Sequence, residues 1–294
     1  MKINSAGCTF QPLIIIGAAR SGTKLLRDLI ALHTEIDKVP YDVNYIWRFG
    51  NESQNNDELG SENITPKIQK YIQRQLLNYH RGHSVLIEKT VSNCLRVPFV
   101  DAVYPKARYI HLIRDGYDVI ESSYRQWTAS PDWRYILQKA RTFPIASAPS
   151  YAIKYSIAIA SKMVRNQEKP RSTWGPIYKG MLDDLEELSL LEVCAIQWQK
   201  CVLHSMGELD ALPSKRVMTV QYADFVQAPQ EVLKSVFTFS GLDSSVCQHI
   251  NYSEIQSNNL GKGRRLLSEE QADLISTYVD EVQKELSGNI SSVK

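Results

Sequence analysis

Cysteine is scarce in this sequence. The 294 residues hold five, Cys8, Cys94, Cys194, Cys201 and Cys247, an odd number with no C-x-x-C pair. The six histidines show no zinc-ligand spacing. Both facts argue for a reducing compartment and against a structural metal. An excess of one charge is lacking too. Lys and Arg number 34 against 32 Asp and Glu, a net +2, so a diffuse polyanion surface of the kind that grips nucleic acid is excluded. Any anion must be held by a local device. No long apolar run is present either. The stretch Leu13–Ala19 is too short to span a bilayer and lacks the flanks of a signal peptide. A soluble cytoplasmic protein is expected, with no membrane or nucleic-acid partner. No internal repeat is visible, and 43% hydrophobic with 22% charged residues is ordinary for a globular chain.

Short β-branched runs recur along the chain. Pro12–Gly17, Ser84–Glu88, Arg108–Ile113 and Arg216–Val220 each read as a buried strand. Helical stripes alternate with them: Leu25, Leu26, Leu29, Ile30 and His33, then Tyr117, Ile120, Tyr124 and Trp127, then a helix over about 229–239. Leu188, Leu191, Ala195, Trp198, Val202, Met206 and Leu209 form a core stripe. A final helix starts at the capping box Ser268–Gln271, with Ile275, Tyr278, Val279, Val282 and Leu286 as its buried face. This alternation predicts an α/β fold of three layers, a central parallel β-sheet flanked by helices, in a single domain over residues 1–294. Segments at about 129–184 with weaker periodicity are expected to border a pocket. Ligands in such sheets sit at the carboxyl ends of the strands.

Gly17-Ala-Ala-Arg20-Ser21-Gly22-Thr23-Lys24 joins the first strand to the first helix. Such a turn aims backbone N–H groups and the helix dipole at one point, and Arg20 and Lys24 add charge, so a phosphate is the natural occupant. The kinase-type loop GxxxxGK[ST] fits poorly. Gly17 and Gly22 are correctly spaced, but Thr23 takes the lysine place and Lys24 falls where a magnesium-binding hydroxyl belongs.

Here the chain resembles the sulfotransferase family. Arg20-Ser21-Gly22-Thr23 looks like the family's 5′-phosphosulfate loop [KR]-S-G-T-T, with Lys24 in place of the second Thr. Arg114 at a strand end, with Ser122 eight residues on, resembles its 3′-phosphate motif. Thr219–Phe225, with Tyr222, is similar to the segment that lines the adenine. Gly261-Lys262-Gly263-Arg264-Arg265, in a stretch over about 258–266, resembles the basic loop that closes over the nucleotide. These segments keep family order over about residues 12 to 286. The resemblance implies a P-loop NTPase-like sulfotransferase fold and the donor 3′-phosphoadenosine-5′-phosphosulfate, without a metal. It assigns Arg20, Ser21, Gly22, Thr23, Lys24, Leu25, Arg114, Ser122, Tyr222 and residues 261–265 to that donor. The donor carries phosphate at both ends of its adenosine, and two anion motifs match that need. The ordinary roles are an Arg114–Asp118 ion pair and a solvated basic loop at 262–265.

Sulfuryl transfer is expected to be an in-line displacement, by analogy with phosphoryl transfer. Charge builds on the leaving phosphate, where Arg20, Lys24 and Lys89 are candidate cations. The acceptor needs a base. Asp42, in Val39–Trp47, lies where glycan and tyrosyl-protein sulfotransferases of this family carry a catalytic carboxylate. Glu88 is the second candidate, or else a partner of Lys89; His111 and His33 read better as structural residues. Tyr41, Tyr45, Trp47, Trp127, Trp133, Trp174 and Tyr178 suit a saccharide, a phenol or a cationic small molecule, and equally suit a core. The alternatives are a P-loop-type kinase and a non-catalytic nucleotide-binding protein of the same fold.

Overall fold

The structure, a computed structural model, describes residues 10–129 and 173–291, and side chains up to 287. Trp133 and most of the expected pocket border at 129–184 lie outside the described residues. Five strands form one sheet: β1 (Gln11–Ile16), β2 (Ile36–Lys38), β3 (Val85–Glu88), β4 (Arg108–Ile113) and β5 (Val217–Gln221). Their order is β2-β3-β1-β4-β5 and every pairing is parallel. The helices are α1 (Thr23–Ile30), α2 (Asn44–Trp47), α3 (Pro66–Leu77), α4 (Val97–Val103), α5 (Gly116–Thr128), α6 (Met181–Glu187), α7 (Leu190–Asp210), α8 (Tyr222–Gln227), α9 (Pro229–Ser240), α10 (Lys262–Leu266) and α11 (Glu269–Ser291).

Side chains alternate across each strand, so both faces of the sheet are covered. Leu13 and Ile15 of β1 join Ile87, Ile110, Leu112 and Val220 in a layer closed by α1 and α9. Ile14 and Ile16 join Leu86 and Tyr109 in the opposite layer, closed by α3, α4, α5, α7 and α11. The four anticipated strands form within a residue or two of their expected bounds. β2 had no sequence signal, since Ile36-Asp37-Lys38 offers one apolar side chain. The predicted stripes of α7 and α11 are buried at Leu191, Ala195, Trp198, Val202, Ile275, Val279 and Val282. Their starts are capped by Ser189 with Glu192 and by Ser268 with Gln271. The 261–265 segment differs from the expected loop: residues 262–266 make a turn of helix.

β1 is the switch point. The chain leaves it to build β2 and β3 on one side, then β4 and β5 on the other. The crevice at the carboxyl end of β1 is therefore the place for a ligand.

Candidate functional site

All five strands deliver a predicted residue just past their carboxyl ends: the Gly17 loop after β1, Asp42 after β2, Lys89 after β3, Arg114 after β4 and Tyr222 after β5. In the first loop Arg20 takes a left-handed φ of 68° and Gly22 one of 91°. A Cβ on Gly22 would lie 2.5 Å from the Tyr222 ring, so only glycine lets the loop pass there. The hydroxyl residues Ser21 and Thr23 are buried. The N–H groups of Thr23, Lys24 and Leu25 begin α1 and have no intrahelical acceptor. α1 has no side-chain cap and no acid in its first turn, so its positive end is left to a ligand. Leu25, half-buried, follows on this turn. Lys24 is turned elsewhere: its ammonium bonds Asp28 at 2.8 Å. Burial works against the Asp28 carboxylate, but hydrogen bonds from Lys24 and Arg27 hold its pKa at about 2.

The second anion motif meets the first. Arg20 Nε donates to Ser122 Oγ at 2.9 Å, across 102 positions of sequence. Arg114 donates to the Arg20 carbonyl and to the Asn259 carbonyl, each at 3.1 Å. It also lies 4.3 Å above the Tyr222 ring and 3.5 Å from the Asp118 carboxylate, the expected ion pair. Its buried Nε has no hydrogen-bond partner. A cavity of about 250 Å³ beside Arg114, Trp198 and Tyr222 leaves room at this end. The Arg20 guanidinium is pushed below its usual pKa by burial first and then by Arg125 and Arg114. Positive charge is thus crowded here without full compensation.

Asp118 fastens the third basic segment. Its carboxylate accepts from the N–H of Gly261 at 3.0 Å and of Gly263 at 2.7 Å. A Cβ on Gly263 would fall 2.1 Å from the Tyr117 carbonyl oxygen, so α10 seats on α5 only through glycine. Arg264 stacks 3.7 Å above the Tyr117 ring. Arg265 bonds the carbonyls of Leu260 and Asn258, and Lys262 is half-buried.

At the β2–β3 end, Lys89 donates to the Asp42 carboxylate. Lys89 is buried, and the Asp42 side chain is 35% exposed. Glu88 does not pair with Lys89. It lies inside the core, where its carboxylate accepts from the Thr90 hydroxyl and the Asn93 amide. Burial pushes its pKa up to about 7 against the pull of the Thr90 hydrogen bond. His111 lies in the core on Ser205, and burial lowers its pKa to about 4. His33 packs on Phe237 and bonds the Asp243 carbonyl. Both are structural histidines.

The aromatic candidates separate by burial. Trp47, Trp127 and Tyr178 are core residues. Tyr178 bonds Asp184, and Trp127 packs on the half-buried Trp174 at 6.1 Å. Tyr41 and Tyr45 stay half-buried, with the Tyr41 hydroxyl 3.3 Å from that of Tyr79. A set of buried polar residues escaped the sequence reading: Arg27, Asp57, Asn93 and Arg96. None of them belongs to a motif with a recognisable spacing, and Asp57 sits in a polar stretch that reads as plain loop.

Residues 12–155 match the model of the sulfotransferase family. The match contains both anion motifs and the Asp42–Lys89 pair, and it covers just under half of the chain. A curated relative, an uncharacterized protein of Aquifex aeolicus (strain VF5), is 23% identical over 217 residues. The alignment covers 66% of this chain, and the chain spans about a quarter (26%) of that relative's length. Among solved structures, the sulfotransferase domain of the curacin biosynthetic pathway is 16% identical with a TM-score of 0.50, covering 96% of this chain and 99% of its own. A sulfotransferase from Alicyclobacillus acidocaldarius is 13% identical with a TM-score of 0.51, covering 93% and 97%. One from Mycobacterium avium is 12% identical with a TM-score of 0.52, covering 94% and 77%. At these identities the likeness establishes the fold, a parallel sheet between helical layers. Among the described residues no helix is long and apolar enough to cross a membrane, and no group of three or more His, Cys, Asp or Glu is placed to hold a metal ion.

Proposed function

We propose that this chain moves the sulfuryl group of 3′-phosphoadenosine-5′-phosphosulfate to a hydroxyl or amine of a saccharide or small natural-product acceptor. The observation that carries this reading is the meeting of Arg20, Ser122 and Arg114. Motifs expected to hold the two ends of one doubly phosphorylated nucleotide lie in direct contact across the switch point. The match of residues 12–155 to the sulfotransferase family model supports it. The kinase alternative loses support because Lys24, already one place late for that motif, is bound to Asp28.

In this reading the free N–H groups of α1 and the Arg20 guanidinium hold the 5′-phosphosulfate. Arg20 cannot donate its proton at working pH, so it acts as a fixed charge beside the leaving phosphate. Arg114 and Ser122 hold the 3′-phosphate, with α10 closing beside them. Asp42 takes the acceptor's proton as the new S–O or S–N bond forms, and the electron pair of the breaking S–O bond leaves on the phosphate. Lys89 orients the carboxylate and adds positive charge near the transferring group. Tyr41 and Tyr45 border the acceptor. Most of the acceleration then comes from positioning and electrostatics.

Calorimetry tests the donor assignment. Adenosine 3′,5′-bisphosphate should bind without metal, and ATP with magnesium should bind weakly or not at all. The reverse order overturns it. A donor-dependent mass-shift screen over saccharides, phenols and amines then identifies the acceptor, and no donor-dependent product with any class would contradict transfer.

A further inference from the structure

Beneath the Asp42–Lys89 pair runs a continuous chain of buried polar groups. The Val43 N–H donates to the Thr90 hydroxyl oxygen at 3.0 Å, and that hydroxyl donates to Glu88. The other oxygen of Glu88 accepts from Asn93 Nδ2 at 3.0 Å, and Asn93 Oδ1 accepts from Arg96 Nε at 2.9 Å. Arg96 donates onward to Asn44 Oδ1. Asn44 Nδ2 and Arg48 both reach Asp57 Oδ1, at 3.2 and 3.0 Å. Asp57 in turn accepts from the Ile177 N–H at 2.9 Å and donates its own N–H to the Ile177 carbonyl at 2.6 Å. Glu88, Thr90, Asn93, Arg96 and Asp57 are each at most 1% exposed.

Two segments are tied by this chain. One carries Asp42, between β2 and α2. The other carries Lys89, just past β3. We infer that Glu88 is a positioning residue: through Thr90 and Asn93 it locks the Asp42 segment to the Lys89 segment, and through Asp57 the same network docks the chain at Ile177. The inference rests on placing Asp42 and Lys89 at the sulfuryl-transfer site.

The direction of the hydrogen bonds carries the argument. Arg96 can only donate. Asn93 must therefore present its oxygen to Arg96 and its amide to Glu88. Glu88 must then accept at that oxygen, and also from Thr90. A carboxylate satisfies both donors; a glutamine places its own amide against one of them. A buried donor facing a donor is left unsatisfied, and Glu88, Thr90, Asn93 and Arg96 are too deeply buried for water to relieve it. The groups facing Glu88 are Thr90, Asn93 and the Trp47 indole, with Asp42 and Lys89 beyond. Arg96 acts on it through Asn93. Protonating Glu88 turns one acceptor into a donor, as the glutamine does.

The test compares Glu88→Gln, Thr90→Val and Thr90→Ser with the wild type. The positioning itself is read without turnover, as the acetylation rate of Lys89 by acetic anhydride relative to the exposed Lys24, followed by peptide mass spectrometry. Glu88→Gln and Thr90→Val should speed Lys89 labelling by about fivefold or more, the loss of a single buried hydrogen bond. Thr90→Ser should leave it at the wild-type rate. In turnover, Glu88→Gln should lower kcat by about 100-fold, the effect of a misplaced reacting group. Its affinity for adenosine 3′,5′-bisphosphate should stay within about twofold, since the donor contacts are elsewhere. The wild-type kcat should fall as pH drops below about 7, and the variant should lose that limb. Should Glu88→Gln fail to fold, Thr90→Val against Thr90→Ser decides. Unchanged Lys89 labelling in the folded variants overturns the inference. A wild type that does not bind the bisphosphate overturns the proposed function instead, and Lys89 labelling still judges the network.

Discussion

Arg20 and Arg114 reach a hydroxyl and two backbone carbonyls, with one carboxylate, Asp118, at 3.5 Å. Asp42 and Lys89 instead neutralise each other, and buried polar groups stand behind them. One end of the crevice thus carries unspent positive charge and unpaired N–H groups. The other carries matched charge and fixed geometry. In the proposed reading the difference separates donor binding from base chemistry. An anion supplies what the first end lacks. A proton acceptor at the second needs correct placement more than extra field.

Asp42→Ala should separate the two ends most sharply. It should lower kcat by about 1,000-fold, the scale of a lost general base, while bisphosphate affinity measured by calorimetry stays within about twofold. Equal turnover at saturating donor would remove Asp42 from the base role. Arg114→Ala should weaken bisphosphate binding by about 30-fold, since a charge-assisted pair is worth about 2 kcal/mol. Its affinity for adenosine 5′-monophosphate should barely change; a parallel loss of both would place Arg114 away from the 3′-phosphate. Gly263→Ala drives a Cβ into the backbone of α5 and should lift α10 from its seat. We expect a roughly tenfold loss of bisphosphate affinity, with the Asp42 end unaffected.

The smallest effect concerns the root of β2. The Asp37 carboxylate accepts from the N–H of Arg81 and of His83 and contacts both His80 and His83. Burial opposes ionisation, but these donors win and hold its pKa below the usual carboxylate value. A depressed folded value means stability that is present above the unfolded pKa and lost as pH falls through the folded one. Asp37→Asn should therefore lower Tm by about 3 °C at pH 7, with the gap narrowing below about pH 4. A constant gap across pH would assign the effect to shape rather than charge. Donor binding should not move.

How much of this the sequence could reveal follows the same division. The Gly17–Lys24 turn and the Arg114–Ser122 motif are contiguous or nearly so, and the chemistry expected of each is written in its own residue types. The sheet was legible because its strands are short apolar runs between turn residues. β2 was not, because a three-residue edge strand shows one apolar side chain. The Glu88 network was hidden for another reason. Arg96 meets Asn44 across 52 positions and Asp57 meets Ile177 across 120, so no local spacing records the contact. Glu88 stood out as a candidate base from its place beside Lys89, yet alternation turns it into the core while Lys89 meets Asp42. Trp47 and Trp127 looked like pocket aromatics and fill the core instead.

The convergence of two anion motifs on one nucleotide is tested most directly by calorimetry of adenosine 3′,5′-bisphosphate against adenosine 5′-monophosphate. With both sites engaged, the bisphosphate should bind about 100-fold more tightly, from the added pairing at Arg114 and Ser122, and without magnesium. Equal affinities, or binding that requires magnesium, would contradict the account.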